Sequence, residues 1–171
     1  MGVLLIASKS DTASMALYDA MMRLDGWSKP FTITSGDYYI HECGSVYLLV
    51  IDQIHIMADH IDLQFKKQTG LSVYDILVLS RHVSRSNTPA MTLHAIGIPG
   101  ILPYGEEGIS GGENGLLVPP SKYFASLFRR MNTLARKKKL DVDFDLTLET
   151  THHGPILTTP TLYIEIGSTE D

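Results

Sequence analysis

Residues 74–82 read Tyr74-Asp75-Ile76-Leu77-Val78-Leu79-Ser80-Arg81-His82. The apolar run shows no polar alternation, which is the pattern of a strand covered on both faces. It delivers the chain directly into Ser80-Arg81-His82, so two basic side chains follow at the end of a buried strand. Such a placement is costly unless the pair meets a partner or a ligand. Strands of this kind belong to sheets with parallel pairs, where ligands bind beyond the carboxyl ends.

Working outward, Val46–Ile51 is a second continuous apolar run and Val3–Ala7 a third. Between them, Ser10 or Asp11 is placed to cap a helix to about Leu24, with Ala13, Ala16, Leu17, Ala20, Met21 and Leu24 on one face. Phe31–Thr34 and Tyr38–His41 flank Ser35-Gly36-Asp37 as a hairpin-like pair. A second helix is expected over about Ala58–Gln68, stopped by Gly70. Downstream, Ala90–Ala95 is a short apolar run. Pro119-Pro120-Ser121 opens a third helix, whose Phe124, Leu127, Phe128, Met131, Leu134 and Ala135 are expected to face the core. Asp145–Thr151 and Thr161–Ile166 read as the last strands. Alternating strands and helices give an α/β class: one domain over residues 1–171, with a mixed, largely parallel sheet flanked by helices.

The totals agree with one globular domain: 171 residues, 44% hydrophobic and 19% charged. Gly2–Ala7 is apolar but short and lacks a preceding basic region, so it reads as a buried strand rather than a signal peptide. No apolar run approaches the roughly 18 residues of a membrane span. The single cysteine, Cys43, excludes an intramolecular disulfide framework, as a reducing cytoplasm expects. The formal charge of −5 is unevenly spread. Lys122, Arg129, Arg130, Arg136, Lys137, Lys138 and Lys139 form an acid-free window that could meet phosphates locally. Lys137–Lys139 would equally complement the negative end of a helix dipole.

Residues 97–115 are dense in glycine (Gly97, Gly100, Gly105, Gly108, Gly111, Gly112 and Gly115), a backbone able to approach a ligand closely. They form neither a P-loop nor a dinucleotide fingerprint. Seven histidines occur. His82, His94, His152 and His153 fall in two segments that also offer Glu149 and Glu165. Imidazoles plus a carboxylate form the ligand set of many hydrolytic zinc sites. The spacing matches no local zinc signature, and adjacent His152 and His153 on a strand would point to opposite faces. His41, His55 and His60 read as surface residues, and His94 reads equally as a core imidazole. Arg81 suits a phosphate or a substrate carbonyl, and equally an ion pair. No Gly-x-Ser-x-Gly elbow surrounds Ser80, Ser84 or Ser86, which argues against a serine triad. Gly154-Pro155 fixes a turn beside the histidines.

Three segments resemble the archaeal and plant type of D-aminoacyl-tRNA deacylase. They are Ala7-Ser8-Lys9-Ser10-Asp11-Thr12-Ala13-Ser14; Ser80-Arg81-His82-Val83-Ser84 with Pro89-Ala90-Met91-Thr92-Leu93-His94 and Gly97; and Glu149-Thr150-Thr151-His152-His153-Gly154-Pro155 with Pro160 and Tyr163-Ile164-Glu165-Ile166-Gly167-Ser168. The resemblance implies a fold similar to phosphorylase and peptidyl-tRNA hydrolase domains. It implies hydrolysis of the ester joining a D-amino acid to the tRNA 3′ end, and a zinc cofactor. The implied roles are His82, His152 and Arg81 as catalytic residues, and His94, His153 and Glu165 as metal ligands. Arg129, Arg130, Lys137 and Lys138 would contact tRNA. Family members continue past the Ile-Glu-Ile-Gly-Ser segment with a Gly-Gly-Gly-His motif that Gly111-Gly112 does not match, and Ile98 replaces their polar residue. The chain therefore corresponds to the N-terminal portion of the family, acting as a monomer or with the remaining C-terminal part. Another metal-dependent hydrolase on a similar sheet, or a tRNA- or partner-binding domain without turnover, are the alternatives.

Overall fold

The computed structural model describes residues 1–100 and 111–168; Pro103, Gly105 and Gly108 of the glycine-dense stretch lie outside them. Eight strands form one sheet: β1 (Gly2–Ser8), β2 (Phe31–Ile33), β3 (Gly36–Ile40), β4 (Val46–Ile51), β5 (Val73–Arg81), β6 (Ala90–His94), β7 (Asp145–Leu148) and β8 (Thr161–Gly167). Their order across the sheet is β2-β3-β4-β1-β5-β8-β6-β7. The pairs β1–β4, β1–β5, β5–β8 and β6–β7 are parallel, whereas β2–β3, β3–β4 and β6–β8 are antiparallel. The mixed, largely parallel sheet expected from the sequence is the one observed.

The three apolar runs read as doubly covered strands are the adjacent strands β4, β1 and β5. Alternation then divides their side chains between two layers. Leu4, Ile6, Tyr47, Leu49, Ile51, Ile76 and Val78 face a core closed by Ile61 and Phe65 of α2 (Ile61–Thr69). Leu5, Ala7, Leu48 and Leu79 face Leu17, Tyr18 and Met21 of α1 (Thr12–Met22). Asp11 caps α1, its side chain accepting from the Ser14 amide.

Several boundaries differ from the sequence reading. Leu24 lies beyond α1 and is exposed. The expected helix from Ala58 is divided: His55–Met57 form a 3-10 turn, and α2 begins only after His60 adopts a left-handed conformation. The last strand before the His-His pair stops at Leu148, leaving Glu149–Thr151 outside it. The third helix, α3 (Phe124–Lys137), starts after the proline pair, and of its six predicted core residues only Ala135 is buried. Phe124, Leu127, Phe128 and Met131 are half-covered and Leu134 is exposed, because α3 lies against the short strand β6 near the sheet margin. Among the described residues, no helix is long and apolar enough to cross a membrane.

Candidate active site

The parallel strands β1, β4, β5 and β8 end at one edge of the sheet, and four functional side chains gather there. Asp11 follows β1, His55 follows β4, His82 follows β5, and Glu165 lies near the end of β8 opposite Ser80. Because β6 runs against β8, Thr92 pairs with Glu165 and His94 with Tyr163. This antiparallel step brings His94 to the same cluster from the opposite direction.

Glu165 is the centre of the arrangement. It is buried, its Oε1 accepts from the Ser80 hydroxyl at 3.0 Å, and it lies 3.3 Å from His94 Nε2. Its Oε2 lies 3.5 Å from His82 Nδ1, which is also 2.9 Å from Glu149 Oε1. Burial alone would raise the Glu165 carboxyl, but His82 and His94 outweigh it and hold the group well below the usual carboxylate range. In return Glu165, with Glu149, raises His82 above the ordinary imidazole value despite its burial. Burial pulls His94 down, yet Glu165 more than offsets this and the net shift is upward.

His94, His152 and His153 form a second cluster whose ligand atoms all lie within 4.8 Å of one another, beside the His82–Glu149–Glu165 group. The rings of His94 and His152 stack at 4.3 Å, and His153 meets both edge-on at 4.9 and 4.6 Å. The sequence reading placed His152 and His153 on opposite faces. Instead His152 makes only an isolated bridge with Ile96, and His153 has φ 48°, a left-handed turn that abolishes strand alternation. Both rings consequently reach His94. Of the expected metal set, His94 and His153 share one group with His152, while Glu165 joins His82 and Glu149 in the adjacent group and lies 3.3 Å from His94.

Each imidazole of the trio turns Nδ1 to a backbone carbonyl: His94 to Ala95 (3.0 Å), His152 to Thr150 (2.7 Å) and His153 to Gly154 (2.6 Å). A carbonyl only accepts, so Nδ1 carries a proton in each ring, and the neutral form of each would hold its lone pair on Nε2. His94 Nε2 is buried and faces Glu165 Oε1 at 3.3 Å, with no aligned hydrogen bond among the described residues. Enclosure, with the neighbouring His94 and His152, lowers His153 to about 3, so its ring is neutral at physiological pH. Nδ1 atoms turned to carbonyls and three convergent imidazoles with a carboxylate beside them fit a metal such as zinc, whose histidine ligands are characteristically oriented this way.

A cavity of about 280 Å³ opens onto these groups, lined by His55, Ser80, Arg81, Glu149, His152, His153 and Glu165 among others. Arg81 also borders a neighbouring cavity of about 250 Å³ with Thr12, Ala13 and Phe144. The glycines have a definite role here: a side chain on Gly111 or Gly154 would strike the carbonyl of Ile56, so their bareness lets the 152–154 turn pack against the 3-10 turn. Arg129, Arg130 and Lys137 of α3, and Lys138 just past its end, are exposed and line neither cavity.

The sequence reading missed His55 as a site residue. Far from being on the surface, it is 3% exposed and faces Asp11 at 2.9 Å. Its local signal was only a histidine shortly after a buried strand, which sequence alone could not separate from a surface turn.

The family model for D-aminoacyl-tRNA deacylase matches residues 69–171. A protein of Arabidopsis thaliana named D-aminoacyl-tRNA deacylase is 35% identical over 171 residues, covering 100% of this chain and 53% of its own. A namesake from Methanosarcina acetivorans is 34% identical, with 98% of this chain and 56% of its own covered. The chain thus spans about half the length of the curated relatives it matches. A crystal structure described as a conserved protein of unknown function superposes with a TM-score of 0.79 at 29% identity, over 99% of this chain and 56% of the other. The matched segment holds Arg81, His82, His94, Glu149, the His-His pair and Glu165, and by that match the chain belongs to the D-aminoacyl-tRNA deacylase family.

Proposed function

We propose that this chain hydrolyses the ester between a D-amino acid and the 3′ end of tRNA, in the cytoplasm where charged tRNA is used. The observation that carries the reading is the grouping of three imidazoles and a buried carboxylate at one strand-end site, with His152, His153 and Glu165 lining its cavity and His94 buried beside them, in a chain of this family. His94, His152 and His153 would hold a zinc ion through Nε2, with Glu165 beside His94. Such an ion supplies Lewis-acid polarisation of a carbonyl and a position for water.

The remaining groups have separate tasks. Arg81, at the cavity wall, meets a phosphate or the carbonyl of the acylated terminus. His82, held above its ordinary value by Glu165 and Glu149, keeps a proton available to these two carboxylates, which line the cavity. Ser80 steadies Glu165 through its hydroxyl. Arg129, Arg130 and Lys137 of α3, with Lys138 just past its end, provide exposed positive charge for the tRNA backbone.

The deciding experiment compares amino acid release from D-Tyr-tRNA and L-Tyr-tRNA, with and without chelator. The proposal expects D-selective release that chelation abolishes. Release of neither isomer at high protein concentration, with tRNA binding retained, would instead make the chain a binding domain. Chelator-insensitive hydrolysis would remove the metal from the proposal and keep the esterase.

A further inference from the structure

The cap of α1 makes more contacts than capping requires. Asp11 is 1% exposed, and Oδ1 accepts from the Ser14 amide at 2.9 Å, which alone satisfies the helix. Oδ2 accepts from the Arg81 amide at 2.9 Å and faces His55 Nε2 at 2.9 Å. Burial would raise this carboxyl, but His55 and the two amides bring it below its ordinary value, so it is ionised and acts only as an acceptor. Nε2 of His55 therefore carries the proton in that contact, and Nδ1 is left with the lone pair of the neutral ring.

That nitrogen is buried and has no hydrogen-bond partner among the described residues. The residue that bears it lines the cavity with Ser80, Arg81, His152, His153 and Glu165. Its ring is fixed edge-on by Tyr163 at 5.3 Å and 76°. A buried polar atom without a partner is rare and calls for an explanation, and this one belongs to a ring that lines the cavity. A carboxylate that orients an imidazole while leaving its other nitrogen free is the second half of a nucleophile–base–orienter arrangement.

We propose that His55 is a proton acceptor of this site, with Asp11 as its positioning residue; the inference rests on the ester-hydrolysis reading above. As a water oxygen bonds to the ester carbonyl carbon, His55 Nδ1 takes the proton that water gives up. The carbon–oxygen bond to the ribose then breaks and its electron pair leaves on the ribose oxygen, which takes the proton back from Nδ1. The amino acid departs with its carboxyl group, the RNA with a free hydroxyl, and the imidazole returns neutral.

The test uses the full 171-residue chain and D-Tyr-tRNA. His55→Gln keeps an amide N–H for Asp11 and removes the basic nitrogen. We expect kcat to fall about 10²- to 10⁴-fold, with KM within about threefold and the thermal midpoint unchanged. Added imidazole should restore part of the rate to His55→Ala. A His55→Gln protein retaining more than about a third of wild-type kcat overturns the proposal. Should that variant not fold, or the wild type not turn over, nitrogen NMR of wild-type His55 decides. The expected result is a bare Nδ1 whose shift moves when 3′-deoxy-3′-(D-tyrosylamino)adenosine binds. A protonated Nδ1, or a shift indifferent to that analogue, overturns the assignment of His55. An inert wild type with a responsive Nδ1 overturns the hydrolase reading alone.

Discussion

The rings of His94 and His152 stack with centroids 4.3 Å apart and planes 28° from parallel. Two imidazolium ions in that position would repel, so the stack favours neutral rings or a shared cation. Zinc should therefore bind to the folded protein and stabilise it. At free metal about 100 times Kd the gain is about 2.7 kcal/mol. Calorimetry with and without chelator would read it, and His152→Ala should lose both the metal content and the shift in midpoint.

Glu165→Gln removes the charge that raises His82 and His94. In metal-free protein both imidazoles should then titrate at lower pH than in the wild type, as proton NMR would record. A raised folded value means a contribution to stability complete below the ordinary 6.5 and lost as pH rises through the raised value. The variant should lose that loss: its stability curve above about pH 6 becomes flatter.

Asp62 offers the opposite sign. It is buried at the start of α2, and its Oδ2 accepts from the amides and hydroxyls of Thr158 and Thr159 at 2.8–3.0 Å. Burial raises this carboxyl, but the threonine hydrogen bonds prevail and the net shift is downward from 3.8. Its contribution is present above that ordinary value and disappears as pH falls through the depressed one. Asp62→Asn should cost about 2–3 kcal/mol at neutral pH. Its urea midpoint should also fall less than the wild type's between about pH 4 and pH 2.

Gly154→Ala would put a methyl carbon 2.7 Å from the Ile56 carbonyl oxygen. The 152–154 turn must then retreat from the 3-10 turn, at a cost of about 1–3 kcal/mol. Because His152 and His153 ride on the turn, zinc affinity should fall as well. Denaturation and metal titration on one preparation would test both.

Reversing Arg129 and Arg130 to Glu should weaken tRNA binding without changing the thermal midpoint, since neither side chain is buried. Each phosphate contact removed should lessen the slope of log affinity against log salt by about 0.7–0.9. A filter-binding series over ionic strength gives that slope directly.

The sheet was legible because three uninterrupted apolar runs, Val3–Ala7, Val46–Ile51 and Ile76–Leu79, lie in three adjacent central strands. The face of α3 was not, since helical spacing shows which residues share a side but not how much sheet is available to cover it. The same limit applied at the site. His82, His94 and Glu165 stand at or beside strand ends that periodicity could locate. The meeting of His152 with His153 depends on one left-handed residue, and the burial of His55 on Asp11, 44 positions away. Neither leaves a local pattern.

The position of β8 bears on how the protein comes into being. It follows every other described strand in the chain, yet it lies between β5 and β6. Without β8 the other strands could pair only as β2-β3-β4-β1-β5 and as β6-β7, each set with an open edge where β8 belongs. Only when residues 161–167 arrive do the halves join, a late closure between distant parts of the chain. The three imidazoles are synthesised before Glu165, and the strand that completes the sheet also brings the carboxylate. Assembly of the fold and assembly of the site are one event.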